Sequence, residues 1–224
     1  GRLKSQEEFW LNYFSGTLPV LNMPTDFPRP AIQNLEGDTI IFHLENSLRQ
    51  ALNLLMKKTG TTLYMVLLSI LTILLYKYTD RQDIIIGPPL AGRYHPDLEG
   101  MVGLVVETLV TRNRPPGEKT FEGYLKEVKE NTLAAYENQA YNYGELIGQL
   151  ALKKDLSRNP LFDVMLNVRE REKLEYIAGE LRLIPLEFER KTSQCDIALD
   201  TIQSGQGITF ELNYCSKLFK RETM

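Results

Sequence analysis

KDLSRNPLF, residues 154–162, is where this chain changes character. Asp155, Ser157 and Arg158 crowd a carboxylate, a hydroxyl and a guanidinium into four residues, and Asn159-Pro160 rules out a continuing helix. Leu161 and Phe162 then open an apolar run to Val168. Such a polar turn either locks itself through charged hydrogen bonds or offers a docking point to another protein. Before it, the hydrophobic spacing is mostly that of helices. After it, the spacing is that of strands.

Downstream, residues 161–168, 181–188, 196–203 and 208–213 read as strands, and SGQG at 204–207 supplies a tight turn between the last two. Upstream, Ser5 and Glu8 have capping-box spacing, Phe9, Trp10, Tyr13 and Phe14 fall on one face, and Gly16 ends the segment. Pro19, Pro24, Pro28 and Pro30 make residues 18–30 extended and irregular. A strand is expected at 39–44, then an amphipathic helix at 47–58 with Leu48, Leu52, Leu55 and Met56 inward and Gly60 past its end. Residues 62–76 (TLYMVLLSILTILLY) are almost wholly apolar but short of the ~20 residues a membrane span needs, so they predict a helix buried all round. DIIIG at 83–87 is a buried strand and 88–100 a Pro/Gly/Arg loop. Thr120 caps a helix carrying Phe121, Leu125, Val128 and Thr132, and a shorter helix follows at 143–152. The fold class is α+β, helices packed on a mixed sheet.

With 224 residues, 43% of them hydrophobic, the chain can build a substantial core. Its 26 basic and 29 acidic side chains leave a net charge of −3, which gives no electrostatic drive toward nucleic acid. Cys195 and Cys215 are too few for a disulfide scaffold and are expected to be reduced and buried, in strands. Residues 1–16 are charged rather than leader-like, and the expected setting is cytoplasmic, away from membranes.

Generic catalytic signatures are missing: no phosphate-binding Gly-rich loop with Lys, no HExxH, no CxxC and no GxSxG. His43 lies in a strand and His95 in a polar loop, which leaves little for acid–base or metal chemistry.

Three segments in order carry more information. PPLAGR (88–93) leads into VGLVVETLVTR (102–112); NQAYNYG follows at 138–144; KDLSRNPLF closes the series. This succession resembles the later motifs of condensation domains from nonribosomal peptide synthetases, approximately IGxFVNTxxxR, NQDxPFE and RDxSRNPLF. Flanking matches include Phe9-Trp10, residues 21–30, Asn213-Tyr214 and Leu218-Phe219. Ala140, Asn142 and Gly144 depart from the middle pattern, and Glu107 stands where the family usually has Asn. A carboxylate only accepts hydrogen bonds, so a site shaped for Asn calls for a cation or a proton to hold Glu107.

The resemblance implies a chloramphenicol-acetyltransferase-like lobe, and specifically the C-terminal lobe of a two-lobed domain, spanning 1–224. The HHxxxDG motif belongs to the N-terminal lobe and does not occur here, so no catalytic residue and no metal site is assigned to this chain. The parent domain would join carrier-bound aminoacyl or peptidyl thioesters by amide formation, an acyl transfer served mainly by positioning. The chain alone is expected to be inactive. Gly103, Val106, Glu107 and Thr108 would line the substrate tunnel on a strand, Gly103 permitting close backbone approach. Arg93, Asn138, Gln139, Asp155, Ser157 and Arg158 would contact the other lobe or a carrier protein. No cofactor is expected on the chain itself; phosphopantetheine would arrive on donor and acceptor carriers. The implied partners are the N-terminal lobe, those carriers and an adjacent adenylation domain. A non-catalytic docking module is the competing expectation.

Overall fold

A computed structural model describes residues 1–93, 95–115, 117–170, 176–183, 190–204 and 207–224. In chain order the elements are α1 (Arg2–Tyr13), β1 (Gly37–Leu44), α2 (Asn46–Thr59), α3 (Leu63–Thr79), β2 (Ile84–Ile86) and β3 (Pro89–Leu90). A 3₁₀ turn (Pro96–Leu98) precedes β4 (Glu107–Thr108), β5 (Thr111–Asn113), α4 (Phe121–Glu137) and α5 (Tyr143–Gln149). The last third supplies β6 (Val164–Glu170), β7 (Tyr176–Ala178), β8 (Leu181–Leu183), β9 (Ile197–Ser204) and β10 (Gly207–Cys215).

Six strands form one mixed sheet in the order β1-β10-β9-β6-β2-β5. β6 runs parallel to β9 and β2, while the outer pairs are antiparallel. Side-chain alternation along a strand sorts the core. Ile84, Ile86, Val164, Leu166, Ile197, Ile208 and Phe210 face a cluster with α3 and α4. Ile85 faces the opposite cluster, with Trp10 and Phe14 of α1 and Leu146 of α5. The sheet is therefore covered on both faces around β2, which explains its unbroken apolar triplet.

Local chemistry accounts for the helix ends. Thr62 and Thr120 accept from Met65 N and Gly123 N as N-caps of α3 and α4. Gly60 closes α2 in the left-handed conformation, with φ 61°. α1 instead begins at Arg2 with Gly1 at its cap position, so the Ser5–Glu8 spacing lies inside the helix and caps nothing.

Several expectations need correcting. Leu48 is 54% exposed and does not face the core, though Leu52, Leu55 and Met56 do pack against it. α3 is not buried all round: Ile70, Leu74 and Tyr78, four residues apart, form an open stripe. The strand expected from residue 161 begins only at Val164, as β6, with Leu161 before it at φ 69°. Cys195 precedes β9 instead of lying in a strand, and only Cys215 ends one. Both thiols are free and buried, and burial pushes Cys195 up to about 12. The turn at 205–206 and residues 184–188 lie outside the described residues. β3, β5 and β7 are too short for periodicity to reveal.

Candidate functional site

The three motif segments meet around α5. Its N-cap is Asn142, whose Oδ1 accepts from Glu145 N at 3.1 Å. The same side chain donates through Nδ2 to Glu107 at 3.1 and 3.3 Å, joining the first motif to the second. One residue on, the Tyr143 hydroxyl donates to Pro160 O at 2.6 Å, joining the second motif to the third. Burial raises the Tyr143 phenol well above its ordinary range, so it stays a donor. Phe162 then covers Gly87 at the end of β2, where an added Cβ would come within 2.5 Å of the ring.

The partner that holds Glu107 is an amide, Asn142, and not a cation of the described chain. Among the described residues no Lys, Arg or His makes an ion pair with it. Glu107 and Thr108 form β4 against Leu90 and Pro89 of β3. Gly92 backs this hairpin: with φ 64°, any Cβ there would collide with Val105 O and lie 3.6 Å from Glu107 Cγ. Only glycine fits such a position without strain.

The rest of the expected tunnel strand is not a strand. Residues 101–106 have no ladder partner, and Val102 and Leu104 are 99% and 94% exposed. Val106 and Met101 are also open. Gly103 makes no close approach, since its Cβ would meet nothing within 4 Å. An apolar run exposed to this degree has no covering partner among the described residues.

The remaining expected contacts are tied into the chain itself. Arg93 turns its guanidinium onto the carbonyls of Leu98 and Glu99 within its own loop. His95 caps the 3₁₀ turn, accepting from Asp97 N at 3.3 Å. Asn138 ends α4 by donating to Ala134 O at 2.9 Å, and its own carbonyl receives Trp10 Nε1 at 2.9 Å. Gln6 donates to Glu137 O at 3.3 Å, so α1 is docked on the end of α4. Gln139 is half-buried beside this junction.

The polar turn at 154–162 joins a charged network. Asp155 accepts from Ser157 N at 2.9 Å and Ser157 Oγ at 2.6 Å. Arg158 lies 3.5 Å from Asp155, but its hydrogen bond goes to Asp163 at 3.0 Å. Arg29 bonds Ser157 O at 3.2 Å and clasps Asp196 through both carboxylate oxygens. Asp163 is 4% exposed, and burial, with Asp196 nearby, pushes it up to about 7 against the pull of Arg158 and Arg29. Beside this network lies a small recess lined by Arg29, Ser157, Cys195, Asp196 and Cys215.

Arg112, the last residue of the first motif, was not among the expected site residues. It bonds Asp83 at 2.7, 2.9 and 3.1 Å and the carbonyls of Ser15 and Thr17 at 3.0 Å each. Its place at the end of a quoted motif was the available signal.

This architecture, a mixed six-stranded sheet with helices on both faces, is that of a chloramphenicol-acetyltransferase-like lobe. The family model described as Condensation domain matches residues 1–224, and the chain belongs to that family. It is 48% identical over 222 residues to bacitracin synthase 2 of Bacillus licheniformis, covering 99% of this chain and 8% of that protein. It is 45% identical over 221 residues to surfactin synthase subunit 1 of Bacillus subtilis (strain 168), covering 99% and 6%. The chain thus spans less than a tenth of the length of either relative. Among solved structures, a holo four-domain nonribosomal peptide synthetase bound to AMP and glycine superposes with TM-score 0.92 at 22% identity, over 100% of this chain and 18% of that one. The X-domain from teicoplanin biosynthesis, in complex with OxyB, superposes with TM-score 0.89 at 24% identity, over 100% and 50%.

Proposed function

We propose that this chain is the C-terminal lobe of a nonribosomal peptide synthetase condensation domain. That domain forms an amide between two thioesters delivered on phosphopantetheine arms of a donor and an acceptor carrier protein. The observation that carries the reading is the family match over all 224 residues, combined with half-length coverage of solved condensation-type domains. A second lobe of similar size accounts for the other half. It also accounts for the uncovered segment at 101–106, whose Val102 and Leu104 have no partner of their own.

The chemistry assigned to this lobe is positioning. A thioester is already activated, so holding amine and carbonyl in near-attack geometry supplies much of the acceleration. Val106, Glu107 and Thr108 face the passage, and Gly103 belongs to the uncovered segment that leads to it. Arg93, Gln139, Asp155 and Ser157 sit at the rim and contribute contact to the other lobe or to a carrier. Asn138 and Arg158 act indirectly, by fixing the α4 end and the 154–162 turn. An adenylation domain of the same synthetase loads the carriers. The docking-module alternative loses ground because two of the four departures, Glu107 and Asn142, bond each other.

The test is product formation. Purified chain mixed with loaded donor and acceptor carriers yields no dipeptide above the carrier-only control. Adding the preceding lobe of the same synthetase restores it. Dipeptide from the chain alone would refute the two-lobe assignment, and no dipeptide from the reunited lobes would refute amide formation.

A further inference from the structure

Among the described residues Glu107 has no counter-ion and is held in one place by a neutral group. Asn142 Nδ2 bonds both of its carboxylate oxygens, at 3.1 and 3.3 Å. The Asn142 side chain is itself fixed, because its Oδ1 caps α5. The stem of Glu107 is backed by the Gly92 turn, 3.6 Å from Cγ to the position a Cβ would take. Arg93, the cation beside that turn, is committed to the carbonyls of Leu98 and Glu99. An amide satisfies part of a carboxylate's hydrogen-bonding capacity, about four lone-pair sites, and neutralises none of its charge. A half-buried, preorganised carboxylate in this state is a receptor for a cation.

Building on the reading above, in which β4 faces the substrate passage, we propose that Glu107 is a selectivity residue favouring a carrier-bound substrate with a cationic side chain. Asn142 is its positioning residue. The ligand class is an aliphatic ammonium or guanidinium presented on an aminoacyl thioester, and its charge supplies what the amide of Asn142 lacks. Uncharged side chains of equal length gain nothing from the carboxylate and must leave it solvated.

The experiment uses the reunited lobes with carriers loaded chemically, so that adenylation selectivity is bypassed. Ornithyl and norleucyl groups, nearly equal in shape, are placed on the donor and on the acceptor in turn. The ornithyl-to-norleucyl ratio of kcat/KM is expected to exceed one at one of the two carriers. It should fall about fivefold to tenfold in E107Q, where the glutamine carbonyl still accepts from Asn142. N142A should lower the same ratio by a smaller factor, whereas a purely structural loss at the α5 cap would lower ornithyl and norleucyl turnover together and leave the ratio unchanged. Binding of ornithyl and norleucyl N-acetylcysteamine thioesters to the same protein gives the preference without turnover. An unchanged ratio in E107Q, in turnover and in binding, overturns the proposal even where amide formation proceeds. Absence of product with every pair, together with a binding preference lost in E107Q, sustains the selectivity and refutes only amide formation.

Discussion

Replacing Arg112 with alanine tests whether the end of the first motif is a structural joint. The guanidinium side chain is 7% exposed and its partner Asp83 28%. Truncation removes three hydrogen bonds to Asp83 and one each to the carbonyls of Tyr13, Ser15 and Thr17. Among the described residues only Arg114, 68% exposed and 3.8 Å away, still pairs with Asp83. Breaking a buried ion pair by removing one partner costs roughly 3–5 kcal/mol. Asp83 can take up water on its open side, which lowers the expected loss to about 2–4 kcal/mol. Urea unfolding followed by circular dichroism and by Trp10 fluorescence measures it, since Trp10 lies in the cluster that Arg112 borders. Arg112→Lys should recover less than half, because one ammonium cannot reach Asp83 and two carbonyls together. Combined with Asp83→Ala, the cycle should show a coupling of about 1–3 kcal/mol. A loss below about 1 kcal/mol with an unchanged m value would show that the clamp is incidental and that Arg112 is free to serve elsewhere.

Asp163 gives a pH signature. Its folded value, about 7, lies above the ordinary carboxylate value, so between about pH 4 and 7 the folded state holds a proton that the unfolded chain has lost. Stability contributed by that proton is therefore lost as pH rises through the window, with a slope of up to about 1.4 kcal/mol per pH unit, and Asp163→Asn should flatten it in chemical unfolding at stepped pH. Asp26, Asp38 and Asp155 are lowered by their hydrogen bonds, so their contributions disappear only below that window, as pH falls through the folded values. Gly92→Ala should cost about 1–3 kcal/mol through strain at φ 64° and the Val105 O collision; an unaltered thermal midpoint would contradict it. Val102→Asp with Leu104→Asp should leave the melting curve within about 0.5 kcal/mol, both side chains being already in water, yet weaken association with the preceding lobe in sedimentation velocity. Association equal to that of the unchanged chain would remove residues 101–106 from the interface.

The fold was legible wherever one face of an element repeats. α3 and α4 announce themselves by apolar spacing and by Thr62 and Thr120 at their starts, and β9 and β10 by alternation. Leu48 and the Ile70–Leu74–Tyr78 stripe were misread because periodicity finds an apolar face without showing that anything covers it. The 101–106 segment failed for a related reason. An apolar run looks the same whether it is buried in its own chain or reserved for another surface. Capping was ambiguous in the same local way: Ser5 and Glu8 have the right spacing, but the helix begins about one turn earlier, at Arg2.

The site was legible by position and illegible by contact. Motif order singles out Glu107, Asn138 and the 154–162 turn, but nothing in the order says which partners they meet. The contacts divide the motif residues into two kinds. Arg112, Tyr143 and Phe162 spend their polar or aromatic groups on tying the end of α1, α5 and β2 into the fold, while Asn138 and Arg158 bond close by in sequence, to Ala134 and Asp163. The Arg112 and Tyr143 bonds cross longer stretches of sequence, so no spacing rule can anticipate them. Val106, Glu107 and Thr108 sit at the end of that framework with their outward sides open. The Asn142–Glu107 joint ties β4 to α5, because Asn142 both starts the helix and holds Glu107. A substitution at Asn142 therefore acts on the carboxylate before it acts on the fold. The density of the motifs around α5 follows from this: a surface strand of two residues has too short a ladder to hold its own orientation, and the neighbouring helix supplies it.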